Sequence, residues 1–427
     1  MTFEHVTVVE VKAWGETIGA LNRGSTRNAY TFEFAPGRTK RRDFFPLSMK
    51  PSGRKNIYAF PGLSTETWSE LPPGIADSLP DRFGNAIIDA EMSRRGADPS
   101  QVSVLDRLAY TGRRAMGALE FEPTTSPKAS QPTALDLSDL VSKARKALAG
   151  TLANDVESEA ALAQILAVGT SAGGARAKAV VNLNPFTEEL TPGQEPALGA
   201  KSWLLKFDGV QDEKLGDGMG FGRIEYAYSL MAEAAGIDMP ETRLHRENGR
   251  AHFMIRRFDR PGGLEKLHMQ SLCAMKHMDF NMVRTHDYSQ FQHTIDELGL
   301  DQQTKAEAFR RMAFNYAAWN CDDHTKNHSF LMDAKGNWSL APAYDVTFSY
   351  REDSPWVDQH LMGINGKFLH VSADEMYQFG EQHGITGYRS ILKDVNDAID
   401  NWTEYADLAE VVHSDRKLIE KHIAPVR

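Results

Sequence analysis

The chain has 427 residues, of which 41% are hydrophobic and 25% charged, and a formal net charge of −10. That length suits two or three packed units with a large core, and the acidic balance argues against unaided nucleic-acid binding, which rests on neutralising phosphates. No stretch approaches the roughly 18 continuous apolar residues of a membrane span, and the opening MTFEHVTVVEVKAWG lacks the basic-then-apolar layout of a signal peptide, so a cytoplasmic protein is expected.

Taken in chain order, HVTVVEVKA at 5–13 alternates and is rich in β-branched residues, which predicts a strand. WGETIGAL predicts a turn into a second strand, and NAYTFEFAP predicts a third. Helices are expected around 84–96 and 100–112, inside a β-rich unit of residues 1–120. The segment EFEPTTSPKASQPTALD at 120–136 is rich in Pro, Ser and Thr, the composition of a linker. Linker and helix together fill 121–150. The helix ends near Ala149, with Asp136 as its N-cap candidate and Ser138 as the alternative. Another helix is predicted over 157–167.

From residue 169 the pattern changes. GTSAGGARAKAVVNL reads as a small-residue loop running into a strand at 178–183, and SWLLKFDG at 202–209 as a second apolar strand. IEYAYSLMAEAAGI at 224–237 has helical periodicity and stops at Gly236. AHFMIRRFDR at 251–260 predicts another strand, so residues 151–262 form an α/β unit. Beyond Gly263 strand signals nearly vanish, and helices are predicted at 288–299, 303–320, 373–383, 386–401 and 403–423. The expected fold class is α+β, with a mainly helical lobe over 263–427 and a cleft between it and the α/β unit. Cys273 and Cys321 read as free thiols in a reducing compartment. The basic clusters GRTKRR at 37–42 and RRFDR at 256–260 read as solvated faces or local ion pairs.

Several segments carry residues suited to phosphate chemistry. The glycines of GTSAGGARAKA, Gly173 and Gly174 among them, let backbone N–H groups approach a ligand, although no Walker A pattern is present. Alone, this segment reads equally as a flexible connection. Lys206 lies inside an apolar strand, either as an edge-strand lysine or as a phosphate anchor held by Glu225 at the start of the next helix. GDGMGFG at 216–222 reads as a mobile connection rather than a dinucleotide site. WNCDDHTKNHSF at 319–330 sets Asp322 and Asn327 five apart, the spacing by which a kinase catalytic loop supplies a catalytic aspartate and a magnesium-binding asparagine. Asp345, in LAPAYDVTF, adds a second hard oxygen ligand suited to magnesium. His324 and His328 lack the H-E-x-x-H context of a zinc site; they and Lys326 read as loop supports, Lys326 also as a phosphate contact. Asp323 reads as structural.

Together GTSAGGARAKA, WLLKF, MIRRFDR, NCDDHTKNHSF and LAPAYDV resemble the HipA-type serine/threonine kinases, the toxin components of bacterial toxin–antitoxin pairs. IADSLPDRFGN and GRRAMGALEFEP are similar to the first subdomain of that family. The resemblance implies a bilobal protein-kinase-like fold, with 151–262 as the nucleotide-binding lobe. It implies ATP and Mg2+ as cofactors and Asp322 as the catalytic aspartate. Asn327 and Asp345 would hold the metal, and Lys206 would touch the phosphates. Arg256 and Phe258 would meet adenine through backbone groups; the family often has an acidic residue where Arg256 stands. A serine in the glycine loop can be autophosphorylated in the family, and Ser171 is the matching position, with Thr170 adjacent. Family members pair with a small helix-turn-helix antitoxin, reach DNA only through it, and have aminoacyl-tRNA synthetases among their protein substrates. An inactive kinase-like regulatory protein and a small-molecule phosphotransferase stand as the alternative functions.

Overall fold

The structure, a computed structural model, describes residues 3–24, 29–36, 43–49, 56–126, 141, 176–193, 199–210, 220–262 and 264–427. Outside these lie Gly173, Gly174, Ser171 and Thr170, GRTKRR at 37–42, most of the linker, the cap candidates Asp136 and Ser138, and the helix expected over 157–167. The helix ending near Ala149 has only Val141 among the described residues.

The N-terminal strands β1 (Val8–Ala13), β2 (Glu16–Arg23), β3 (Tyr30–Phe34), β4 (Ile57–Tyr58) and β5 (Glu120–Glu122) make an antiparallel sheet in the order β4-β3-β2-β1-β5. The alternation read from the sequence is realised: Val9, Val11 and Ala13 are buried, whereas Val8 is exposed. Trp14 and Gly15, both at positive φ, turn β1 into β2.

A second antiparallel sheet joins β6 (Lys178–Leu183), β7 (Leu190–Pro192), β8 (Lys201–Lys206), β9 (Thr242–Glu247) and β10 (Arg250–Arg256) in the order β7-β6-β8-β10-β9. Trp203 and Leu205 point into its core, together with Phe83, Ile87 and Met92 of the helix Arg82–Arg94. Period-two alternation therefore puts Lys206 on the opposite face. The helix Phe221–Ala234 crosses that face. A Cβ on Gly222 would stand 2.1 Å from the Ala251 carbonyl oxygen, so only glycine permits this approach to β10. Farther along, Ala227, Tyr228 and Met231 enter the core of the C-terminal lobe. One helix thus ties the sheet to the helical lobe.

That lobe contains the helices Tyr288–Glu297, Gln302–Ala317, Ala373–Gln382, Tyr388–Asp400, Trp402–Leu408 and His413–Glu420 around Phe291, Phe309, Met312 and Trp402. Two expectations need correction. The helix expected over 403–423 is two helices, divided where Glu410 takes a left-handed backbone. Strands also persist beyond Gly263: β11 (His268–Ser271), β12 (His286–Asp287), β13 (Ser329–Met332), β14 (Trp338–Leu340) and β15 (Met362–Gly363). They form a sheet in the order β11-β13-β14 and a parallel pair of β12 with β15. Each has two to four residues, and β11 carries His268 and Gln270 where apolar residues would mark a strand, so no alternation can build up.

RRFDR is a buried ion-pair knot rather than a solvated face. Arg257 and Arg260 each reach Asp259 at 2.7 Å, and both donate to the Ala115 carbonyl. Gly117 N–H donates to the same aspartate at 2.8 Å, so the knot joins the N-terminal unit to the strand leading into the helical lobe. Burial opposes the charge on Asp259, but the two guanidiniums outweigh it and hold the carboxyl far below its usual range. Cys273 and Cys321 are free and buried. Among the described residues no helix is long and apolar enough to cross a membrane.

Candidate active site

Lys206 ends β8 and is 8% exposed. An ammonium at such a depth requires acids. Its Nζ donates to Glu225 Oε1 at 2.5 Å and to Asp345 Oδ1. Glu225 is presented by the helix that Gly222 lets close onto β10, and it is 1% exposed. Burial works against the charge on Lys206, yet Asp345 and Glu225 more than offset it and raise its pKa. Burial likewise opposes ionisation of Asp345, and the cations Lys206 and Lys178 overcome this and lower its pKa strongly. A second cation meets Glu225 from the end of the glycine loop: Arg176 Nη1 lies 3.4 Å from Oε2, with its guanidinium 4.3 Å above the Phe221 ring.

Asp322 and Asn327 stand on the loop between the helix Gln302–Ala317 and β13. The helix stops at Ala318, and Trp319 takes φ 52° to turn the chain. A single 3-10 turn, Thr325–Asn327, then leads into β13, so His324 and His328 do not share a helix. Asn327 Nδ2 donates to the Asp322 carbonyl at 2.8 Å, and Asn327 N donates to the His324 carbonyl at 2.8 Å. The loop is therefore braced from within. The Asn327 amide is oriented by this bond, with its nitrogen toward the loop and its oxygen left as an acceptor.

The two aspartates differ in their surroundings. Asp323 is 1% exposed and accepts from Tyr288 Oη, His360 Nδ1 and the Leu361 N–H at 2.8, 3.1 and 2.8 Å. Such a saturated carboxylate anchors the loop. The Asp322 carboxylate is 39% exposed, with His324 Nε2 at 3.8 Å and the Trp356 indole N–H donating to Oδ1 at 2.8 Å. Loss of hydration raises its pKa; His324 and Trp356 counter this, and Asp345 and Asp323 reinforce it. A carboxylate that is reachable and more basic than usual can accept a hydroxyl proton.

Lys326 places its ammonium 4.8 Å from the Phe280 ring centre, and its carbonyl accepts from Tyr344 Oη at 2.6 Å. His328 is buried between Tyr288 and Phe291, and burial lowers its pKa to about 3, so the ring stays neutral. Asp345 holds φ 55°, a left-handed backbone that aspartate adopts more readily than most residues other than glycine. The fold thus brings Lys206, Glu225 and Asp345 into direct contact and sets Asp322 and Asn327 on one braced loop. The Arg256 side chain pairs with Glu241 at 4.0 Å and donates to the Pro261 carbonyl. Phe258 packs 5.7 Å from Tyr344, which ties it to the Lys326 loop.

Among the described residues no group of three His, Cys, Asp or Glu side chains is arranged to hold a metal ion. The Asn327 amide and the Asp345 carboxylate supply two hard oxygen donors, a set that suits magnesium completed by phosphate and water. Sequence reasoning passed over three residues. Arg176 lay inside the quoted glycine segment. Lys178 is a buried lysine in an apolar strand, the signal that revealed Lys206, and faces Asp81 at 3.6 Å. Trp356 carries no local signal, because its partner lies 34 residues away.

The protein is similar to known proteins at each level. Residues 9–122 match the family model of the HipA N-terminal domain, and residues 170–403, more than half the chain, match that of the HipA-like C-terminal domain. A Haemophilus influenzae protein named "Putative kinase" is 26% identical over 231 residues, covering 47% of this chain and 65% of that protein. A Sinorhizobium fredii protein named "Putative kinase Y4mE" is 24% identical over 185 residues, covering 41% and 43%. The chain spans less than two thirds of the length of either curated relative. The fold matches that of a solved Shewanella oneidensis MR-1 toxin–antitoxin complex of HipA, HipB and operator DNA, with a TM-score of 0.62 at 15% identity, over 97% of this chain and 94% of that one. Both HipA domains are matched in order along these 427 residues, and the protein belongs to the HipA-like family.

Proposed function

We propose that the protein is an ATP- and magnesium-dependent serine/threonine kinase that acts as a growth-inhibiting toxin. The observation that carries this reading is the buried Lys206, held between Glu225 and Asp345, with Asp345 also acting electrostatically on Asp322 of the Asp322–Asn327 loop. Phosphoryl transfer asks little covalent chemistry of a protein; it asks for alignment and for positive charge around the migrating group. Lys206 supplies charge where the α- and β-phosphates of ATP would lie, and Arg176 stands beside it. Bound magnesium, held by Asn327 and Asp345, would neutralise developing charge on the phosphates. Asp322 orients a serine or threonine hydroxyl and accepts its proton. The hydroxyl oxygen then bonds to the γ-phosphorus as the bond to ADP breaks.

On this reading residues 151–262 form the nucleotide lobe and 263–427 the substrate lobe. Self-phosphorylation would fall on Ser171 or Thr170, and Gly173 and Gly174 would bind the phosphates through backbone N–H groups. The likeness to the HipA–HipB–operator complex supports a helix-turn-helix antitoxin as partner, through which DNA is reached. A protein substrate, an aminoacyl-tRNA synthetase among the candidates, completes the proposal. The test is phosphosite mapping by mass spectrometry after incubation of purified protein with ATP, magnesium and cell lysate. New phosphoserine or phosphothreonine sites are expected with the native chain and not with Asp322→Asn. ATP turnover that leaves every protein unmodified would instead favour a small-molecule phosphotransferase.

A further inference from the structure

Trp356 sits in the segment between Asp345 and β15, far from the catalytic loop in sequence, yet its indole Nε1–H donates to Asp322 Oδ1 at 2.8 Å. An indole N–H is a donor only, so this contact consumes one lone-pair site on the aspartate and leaves Oδ2 for other partners.

The segment around Trp356 is built to hold it. Asp358 accepts from Arg284 Nη2 through both carboxylate oxygens at 2.7 Å. Asp358 N donates to the Ser354 carbonyl at 2.9 Å, and Arg351 N donates to the Val357 carbonyl at 3.2 Å. Downstream, His360 and Leu361 are fastened to Asp323, the neighbour of Asp322. The Trp356 ring meets the edges of Phe280 and His324, with centroids 6.3 and 6.2 Å away. A side chain fixed on several sides presents its N–H without further loss of freedom.

We propose that Trp356 is a positioning residue for phosphoryl transfer: its indole N–H pins one oxygen of the Asp322 carboxylate so that the other faces the substrate hydroxyl. The inference rests on the kinase reading of the site and extends it to a residue outside the catalytic loop. A carboxylate held by one rigid donor cannot rotate freely between its two oxygens, so the hydroxyl meets a fixed acceptor.

Trp356→Phe keeps the aromatic packing and removes the donor; Trp356→His restores an aromatic N–H. Loss of a hydrogen bond to a charged group predicts a fall in kcat of roughly tenfold or more for the phenylalanine variant. KM for ATP stays unchanged, and the histidine variant recovers part of the loss. The contact itself is read without activity. In protein labelled with 15N-tryptophan, which contains seven tryptophans, the indole signal absent from Trp356→Phe belongs to Trp356. It shifts upfield in Asp322→Asn. An indole signal indifferent to Asp322→Asn overturns the proposal, as does a Trp356→Phe enzyme with native kcat. A native protein that transfers no phosphoryl group refutes the kinase reading instead, and the indole signal alone then decides whether Trp356 holds Asp322.

Discussion

Replacing Lys206 by methionine removes the ammonium and keeps most of the apolar stem. Among the described residues Glu225 then keeps Arg176 at 3.4 Å as its cation, and Asp345 loses the cation that most favours its charge. Breaking a buried ion pair by deleting one partner costs about 3–5 kcal/mol. Two features place this case at the low end. The Asp345 side chain is 29% exposed, so water takes up part of its charge, and Arg176 compensates part of that on Glu225. The expected loss of stability is about 3 kcal/mol. It is measured by urea unfolding at neutral pH, with the wild type, Lys206→Met, Glu225→Leu and the double variant as a cycle. The double variant removes both charges and is expected to be more stable than the sum of the single losses predicts, by about 1–3 kcal/mol. A Lys206→Met protein within about 0.5 kcal/mol of wild type, or a cycle that adds without coupling, would refute the buried triad.

Gly222→Ala forces a methyl against the Ala251 carbonyl, so the helix must withdraw from β10. A destabilisation of about 1–3 kcal/mol is expected in the same urea assay, together with weaker ATP binding by calorimetry as Glu225 moves away from Lys206. His268 is fully buried and its pKa is lowered to about 4 by burial, the bond to the Phe44 carbonyl only partly opposing this. Its neutral form is the folded form, so its contribution to stability is complete above its unfolded value of about 6.5 and is lost as pH falls toward 4. Between pH 7 and 5 the wild type should therefore lose about 2 kcal/mol more than His268→Gln, which keeps a donor but cannot titrate. Chelating magnesium with EDTA should abolish protein phosphorylation while leaving the unfolding midpoint of the nucleotide-free protein unchanged, since Asn327 is held by Asp322 and Asp345 by Lys206 without metal.

The elements that were legible in the sequence are those with long periodic signals. The alternation at 5–13, the apolar strands around 178–183 and 202–206, and the helices between 288 and 401 follow from period and turn chemistry. The short strands β11 to β15 were not legible, because each has too few residues to show a period and β11, β12 and β15 pair only with strands distant in the chain. Within the site, the spacing of Asp322 and Asn327 could be read directly, because both lie on one loop. The burial of Lys206 among apolar residues pointed to an acid, and Glu225 was within reach on the following helix. That Asp345 would share Lys206 required the fold, since 139 residues separate them. The distinction between Asp322 and Asp323 likewise becomes physical only once Tyr288, His360 and Leu361 close around the second of the two.

The central claim is that Asp322 takes the hydroxyl proton during transfer of the γ-phosphoryl group. The measurement that tests it most directly is the single-turnover rate of label transfer from γ-labelled ATP to protein, at saturating ATP and magnesium, for the wild type and Asp322→Asn. The amide preserves shape but cannot accept the proton, so the rate should fall by roughly 10²–10⁴-fold with ATP affinity retained. Transfer by Asp322→Asn at the wild-type rate would contradict the account.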